Sequence, residues 1–163
     1  MTRSKIVLSL LAVLALTACG PGKPKVKSAD VKAGQAFLDK NAKQPGVHVL
    51  PDGLQYKIVT SGPADGPRPR PQDEVKVNYE GKLTDNTVFD SSFARGQPAA
   101  FVLGGLVPAW VEAMQLMRPG DEWMLYVPSA LGYGEEGAGD KIPPNSVLVF
   151  RIQLLGVLPH SAN

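Results

Sequence analysis

Cysteine and histidine are almost missing from this chain, with one Cys and two His in 163 residues. A lone Cys19 excludes an internal disulfide. With His48 and His160 far apart, no paired metal-ligand spacing remains, so neither a metal site nor a cofactor is expected. A basic cluster is absent too, and the formal net charge is only +2, which leaves nucleic acid without a footprint to bind. Nor is any apolar run long enough to cross a bilayer as a helix, which takes about 20 residues. The longest, IVLSLLAVLALTA at residues 6–18, follows Arg3 and Lys5 and ends at Cys19, before the Gly/Pro/Lys-rich GPGKPKVK. What the chain does hold, 44% hydrophobic and 20% charged residues, suits one ordinary globular domain with a short extension.

That extension has the order of a secretory signal peptide: positive residues, a short apolar stretch, then small residues. Its last four residues, LTAC, resemble the bacterial lipobox. The resemblance implies that residues 1–18 are a lipoprotein signal peptide, cleaved once Cys19 carries a diacylglycerol, and that the acylated Cys19 (diacylglycerol plus a fatty acid such as palmitate) anchors the protein in a membrane. The plainer reading is an export signal whose Ala18 happens to precede a cysteine. Cleavage before Cys19 removes Arg3 and Lys5 and no acid, so the formal charge falls from +2 to 0. Residues 19–43 keep six Lys against Asp30 and Asp39, a balance of +4 that leaves −4 on the remainder. Such a basic stalk is either a solvated linker or a segment held near anionic headgroups. Gly20, directly after the cysteine, carries no inner-membrane retention signal. The expected location is therefore the bacterial cell envelope, lipid-anchored, facing the periplasm or exterior, with the outer membrane favoured over the inner.

Beyond the stalk, SADVKAGQAFLDKNAK offers Ser28 as a cap and apolar Val31, Phe37 and Leu38, which predicts a short helix despite Gly34. From Val47 the pattern becomes that of strands. LQYKIV sends Leu54, Tyr56 and Ile58 to one side, and the Pro/Gly loop SGPADGPRPRPQD separates it from EVKVNYEGKL, where Val75, Val77 and Tyr79 face inward. VPAWVEAMQLM begins with Pro108 at a good first helical position and places Trp110, Met114 and Met117 on one face until RPGD stops it. EWMLYVP and SVLVFRIQLL are strands, the last burying Leu148, Phe150, Ile152 and Leu154. One firm helix among several strands predicts an α+β domain, the helix lying across one face of an antiparallel sheet. There is no internal repeat.

GYGEEG, residues 132–137, has the G-x-G-x-x-G spacing of dinucleotide-binding loops. In those loops a helix must follow, so that its N-terminus meets the phosphate. Here Gly139 and Pro143-Pro144 forbid one, Glu135 and Glu136 would repel the anion, and Ile152 stands where an acid should hold the ribose. No nucleotide is expected, and the glycines need another purpose.

The segments VNYEGKLTDNTVFDSS, FVLGGLVPAWVEAMQLMRPGDEW and LGYGEEGAGDKIPPNSVLVFRIQLL together closely resemble the FKBP-type peptidyl-prolyl cis-trans isomerases. The resemblance runs from about Leu54 to Leu158, and NAKQPGVHVLPDGLQY before it looks like the bacterial infectivity-potentiator branch. It implies an antiparallel sheet of about five strands wrapped around one short helix. The domain plan is then residues 1–18 signal peptide, 19–45 lipidated stalk with a short helix, 46–158 isomerase domain and 159–163 tail. Relatives of that branch often dimerise through a long N-terminal helix. Residues 28–43 are too few for that arm, so a monomer is expected.

The resemblance further implies a shallow apolar pocket for a proline ring, with Tyr79, Phe89, Asp90, Trp110 and Tyr133 as its catalytic set. Arg95, Phe101, Leu106, Val107, Ile142 and Phe150 would bind substrate. Taken singly, Trp110, Phe101, Phe150 and Ile142 read as plain core, Tyr79 as core with a paired hydroxyl, and Asp90 before Ser91-Ser92 as a turn or capping residue. The chemistry suits the residue types. Rotation about an X-Pro bond faces a barrier of about 18–20 kcal/mol and needs no covalent step. An aromatic-lined site strips water from the amide oxygen and so penalises the planar, more polar state. Trp110 would be the floor, the Val107 N–H would hold a substrate carbonyl, Tyr133 would be held over the pocket by its flanking glycines, and Asp90 would pair with the Tyr79 hydroxyl or with Arg95. Two positions depart from the family pattern: Ala99 stands where many relatives carry an aromatic residue, and Ala109 where they carry glycine, beside the substrate path. The implied activity is isomerisation of proline-containing exported polypeptides, with macrolides of the kind the family binds as inhibitors. The alternatives are a non-catalytic, chaperone-like module that binds proline segments, and a structural envelope lipoprotein.

Overall fold

The computed structural model describes residues 28–160, so the expected signal peptide, Cys19, residues 20–27 of the expected stalk and residues 161–163 of the tail lie outside the described residues. The described chain runs α1 (Ser28–Asn41), β1 (Val47–Val49), β2 (Gln55–Thr60), β3 (Glu74–Leu83), β4 (Val88–Ser91), α2 (Ser92–Arg95), β5 (Ala99–Val102), α3 (Pro108–Leu116), β6 (Glu122–Val127) and β7 (Leu148–Leu158). All strand pairs are antiparallel, in the order β1-β2-β6-β7-β3-β4, with β5 also on β3. The sheet has seven strands, not about five. β1, β4 and β5 hold only three or four residues each, too few for a period of two to show in the sequence.

β3 and β7 form the spine, paired along nearly their whole lengths from Glu74↔Leu158 to Leu83↔Leu148. The alternation read in β3 is present: Val75, Val77 and Tyr79 are buried, as are Leu148, Phe150, Ile152 and Leu154 of β7. Opposite β7, the free edge of β3 is shared. β5 takes its first half (Glu74 to Val77) and β4 its second half (Glu80 to Lys82). This places Tyr79 at the fork between two short strands.

α3 lies on the inner face. Pro108 opens it, Val107 is its N-cap, and Trp110, Ala113 and Met114 bury into the core with Met117 just beyond its end. Ala109 is fully buried, so its methyl group belongs to the core and not to a substrate path. Tyr56 of β2 stacks on Trp123 at 4.4 Å between ring centroids, with His48 stacked on its outer side at 4.9 Å. Ile58 keeps the side read for it, opposite Trp123, but is left uncovered. It is 42% exposed.

α1 covers the opposite face of the sheet. The Gln55 side chain is buried beneath it, donating to the Leu38 carbonyl at 3.0 Å and accepting from Asn41 at 2.8 Å. Gly34, awkward for a helix, is what lets α1 approach: a Cβ there would come within 2.9 Å of the Val147 side chain. Leu38, Val147 and Val149 are buried on this side, apart from the main core cluster. The side chain of the expected cap, Ser28, lies outside those described. No described helix is long and apolar enough to cross a membrane.

Candidate active site

Inside the curve of the sheet, above the start of α3, lies a pocket of about 210 Å3 lined by Tyr79, Phe89, Asp90, Phe101, Leu106, Val107, Trp110, Tyr133 and Phe150. These residues come from six separate stretches of chain. Trp110, on the first turn of α3, is the hub: Tyr79, Phe150 and Phe101 all meet it edge-on, at 5.2, 5.3 and 6.3 Å between centroids. Phe89 meets Phe150 the same way at 5.7 Å. Edge-to-face contacts of this kind fix ring orientations and contribute beyond area burial alone. Ile142 does not line this pocket. It lines an adjoining groove that shares Phe89, Asp90 and Tyr133.

Polar groups sit on one wall. Asp90 accepts from the Tyr79 hydroxyl and from the Arg95 guanidinium, so both partners foreseen for it are engaged at once. Arg95 also donates to the Tyr79 hydroxyl at 3.0 Å and lies over that ring, 5.6 Å from its centroid. Arg95 itself is reached through a one-turn helix. Ser91 caps α2 by accepting from the Ala94 N–H at 3.2 Å, and Gly96, at φ 70°, ends it in the left-handed region, which returns Arg95 over β3. The capping role thus belongs to Ser91, leaving Asp90 free for the tyrosine. Burial on its own would raise the Asp90 carboxyl, but the bonds from Tyr79 and Arg95 outweigh it and hold it below its ordinary value. Burial raises the Tyr79 phenol, as does its bond to Asp90, and burial likewise raises Tyr133.

Two donors at the rim remain without a partner among the described residues. The Val107 N–H makes no hydrogen bond at the helix start, where orphan donors are expected, and neither does the Tyr133 hydroxyl. Deeper in, the Trp110 indole N–H is buried without an acceptor among the described residues. Tyr133 stands in the glycine loop, 38% exposed at the pocket rim. Gly134 and Gly137 both have positive φ, and after them comes a small bridged turn, Ala138↔Ile142, and no helix.

Sequence reading passed over two residues that shape this site. Gly81 of β3 lies beneath Phe89 and Phe150, and a Cβ there would fall 2.5 Å from the first ring and 2.8 Å from the second. A glycine inside an otherwise regular strand is itself the signal of such a close approach. Ser92, fully buried, accepts from the Tyr79 N–H at 2.8 Å and so satisfies the backbone exposed at the β4/β5 fork.

The comparisons with known proteins agree with this geometry. Residues 66–155 match the family model described as FKBP-type peptidyl-prolyl cis-trans isomerase, and residues 22–58 match the domain found amino-terminal to it. The chain belongs to the FKBP-type family. It is 49% identical over 125 residues to the FKBP-type 22 kDa peptidyl-prolyl cis-trans isomerase of Escherichia coli, covering 77% of this chain and 60% of that one. To the outer membrane protein MIP of Legionella longbeachae it is 47% identical, covering 76% and 52%. A crystal structure of a peptidyl-prolyl cis-trans isomerase from Pseudomonas syringae superposes with a TM-score of 0.76 at 38% identity, covering 85% of this chain and all of that one. The chain thus spans 60% and 52% of the lengths of these two curated relatives.

Proposed function

We propose that this protein is a peptidyl-prolyl cis-trans isomerase that accelerates X-Pro rotation in exported polypeptides. The observation that carries the reading is the pocket's division of labour. Its floor and most of its walls are aromatic, its one carboxylate is already satisfied by Tyr79 and Arg95, and its free rim donors are the Val107 N–H and the Tyr133 hydroxyl. A proline ring resting on Trp110 carries its amide into a space with little water. Resonance, favoured by a solvated oxygen, is then weakened, while the twisted state loses less. Tyr133, a donor fixed at the rim, meets the oxygen of the rotating amide as it swings out of the plane, so its bond favours the twisted state, and Val107 N–H holds the carbonyl that follows proline. Asp90 moves no proton; it orients Tyr79 and Arg95 at the wall. Phe89, Phe101, Leu106 and Phe150 supply the dry surface, with Ile142 contributing from the adjoining groove.

We further propose that the protein acts in the cell envelope as a monomer, anchored through a lipid on Cys19. The sequence order Arg3, Lys5, apolar run, LTAC supports the anchor, α1 with 14 residues is short for a dimerising arm, and a relative bears the name outer membrane protein MIP. The test of the catalytic reading is the cis-to-trans rate of a short X-Pro peptide with the full-length protein, with and without a macrolide of the kind the family binds. Acceleration that the macrolide abolishes is expected. Saturable peptide binding without acceleration would replace the enzyme by a proline-binding module.

A further inference from the structure

Beyond Phe89, Asp90 and Tyr133 the pocket opens into a wider groove of about 490 Å3, bounded on its far side by the turn from Ala138 to Ile142. The groove surface is apolar at Phe89 and Ile142 and charged at Asp90, Asp140 and Lys141. These charges are not equivalent. Asp90 is already matched by Arg95 and Tyr79. Asp140 is exposed and makes no hydrogen bond or ion pair among the described residues, so it is free to turn into water. Lys141 is tied down: its Nζ donates to the Phe89 carbonyl at 3.2 Å, which holds the ammonium at the junction of groove and pocket. An ammonium has three donors, and the other two have no partner among the described residues. Lys141 is therefore the one cation among the residues lining the groove, and it is held in place.

We propose that this groove receives the residue preceding proline and that Lys141 makes it favour an acidic side chain there. The inference rests on the isomerase reading above. The oxygen that swings during rotation belongs to the preceding residue, and with Tyr133 at that oxygen, the side chain of the same residue leaves across Tyr133 into the groove. Phe89 and Ile142 take its methylene stem, and the uncommitted ammonium donors take its carboxylate. Lys141 acts here as a specificity residue, not a catalytic one.

The experiment compares kcat/KM of the full-length protein for Ala-Xaa-Pro-Phe peptides with Glu, Ala or Lys at Xaa, beside a peptide with Glu placed after proline. The expected order is Glu, then Ala, then Lys, with steps of roughly two- to fivefold, the size of one partly exposed ion pair. The steps should shrink at high salt, and Glu after proline should gain nothing. Lys141→Glu should reverse the order and Asp140→Asn should widen it. An order that Lys141→Glu leaves unchanged, or equal rates at all three Xaa in the parent protein, would overturn the proposal while leaving the isomerase standing. Failure to accelerate any of the peptides would remove the isomerase itself.

Discussion

Phe89 lies so close over Gly81 that a methyl group at position 81 would stand 2.5 Å from two of its ring carbons. The contact crosses from β4 to β3, and it decides how deep the Phe89 wall of the pocket can sink. Gly81→Ala is therefore expected to destabilise the fold by about 1–3 kcal/mol through overpacking and to displace Phe89 and Phe150 together. Thermal unfolding and peptide isomerisation, measured side by side, check this. Unchanged melting together with an unchanged rate in the Gly81→Ala protein would mean that the rings are less confined than the geometry states.

Asp90→Leu removes the acceptor that joins Tyr79 to Arg95 while keeping the branched outline of the side chain. Both charged side chains are substantially exposed, 50% for Arg95 and 42% for Asp90, so solvent screens the pair and the expected loss is near the lower end for a charge-assisted bond, about 1 kcal/mol. That corresponds to roughly a fivefold fall in isomerisation rate, with a parallel fall in macrolide affinity. The fold should survive. Equal rates and equal affinity in parent and variant would show that Asp90 plays no part in the site.

Stability should depend on pH through Glu112 of α3, whose side chain shares a hydrogen bond with Asp52. That bond, then burial and the neighbouring negative charge, push Glu112 up to about 7 from 4.5. The folded state then holds a proton that the unfolded state releases. The Glu112 contribution is accordingly full below pH 4.5 and is lost as pH rises through about 7. Melting temperature is expected to drop between pH 5 and pH 8 in the parent, and less so in Glu112→Gln. Parallel curves for the two proteins would remove Glu112 as the cause.

Cys19→Ser tests the anchor. One lipid-bearing residue provides the whole proposed attachment, so the variant should accumulate as uncleaved precursor or lose its membrane association. A Cys19→Ser protein that is processed and lipid-free yet still fractionates with membranes would show that something other than an acylated cysteine holds it there.

Much of this site is legible in the sequence, because its aromatic residues sit on elements whose periods are plain. The alternation of β3 turns Tyr79 inward, and the helical spacing after Pro108 buries Trp110. What escaped reading depends on contacts between distant segments. Gly81 matters only because Phe89 and Phe150 converge on it across two strand pairings, and Lys141 only because its ammonium reaches a carbonyl on β4. Asp90 was legible as a partner of Tyr79 or Arg95, yet that it holds both at once depends on the one-turn α2, which four residues cannot announce. Ile58 shows the same limit from the other side: its alternation is correct, but where a core ends is decided by what covers it.

α1 grips the face of the sheet away from α3, with Gln55 and Val147 beneath it. α1 therefore covers the face of the sheet opposite the one on which α3 carries the pocket floor. Under the proposed anchor on Cys19, which polypeptides reach the site would depend on where that face is turned as much as on how firmly the pocket holds a proline.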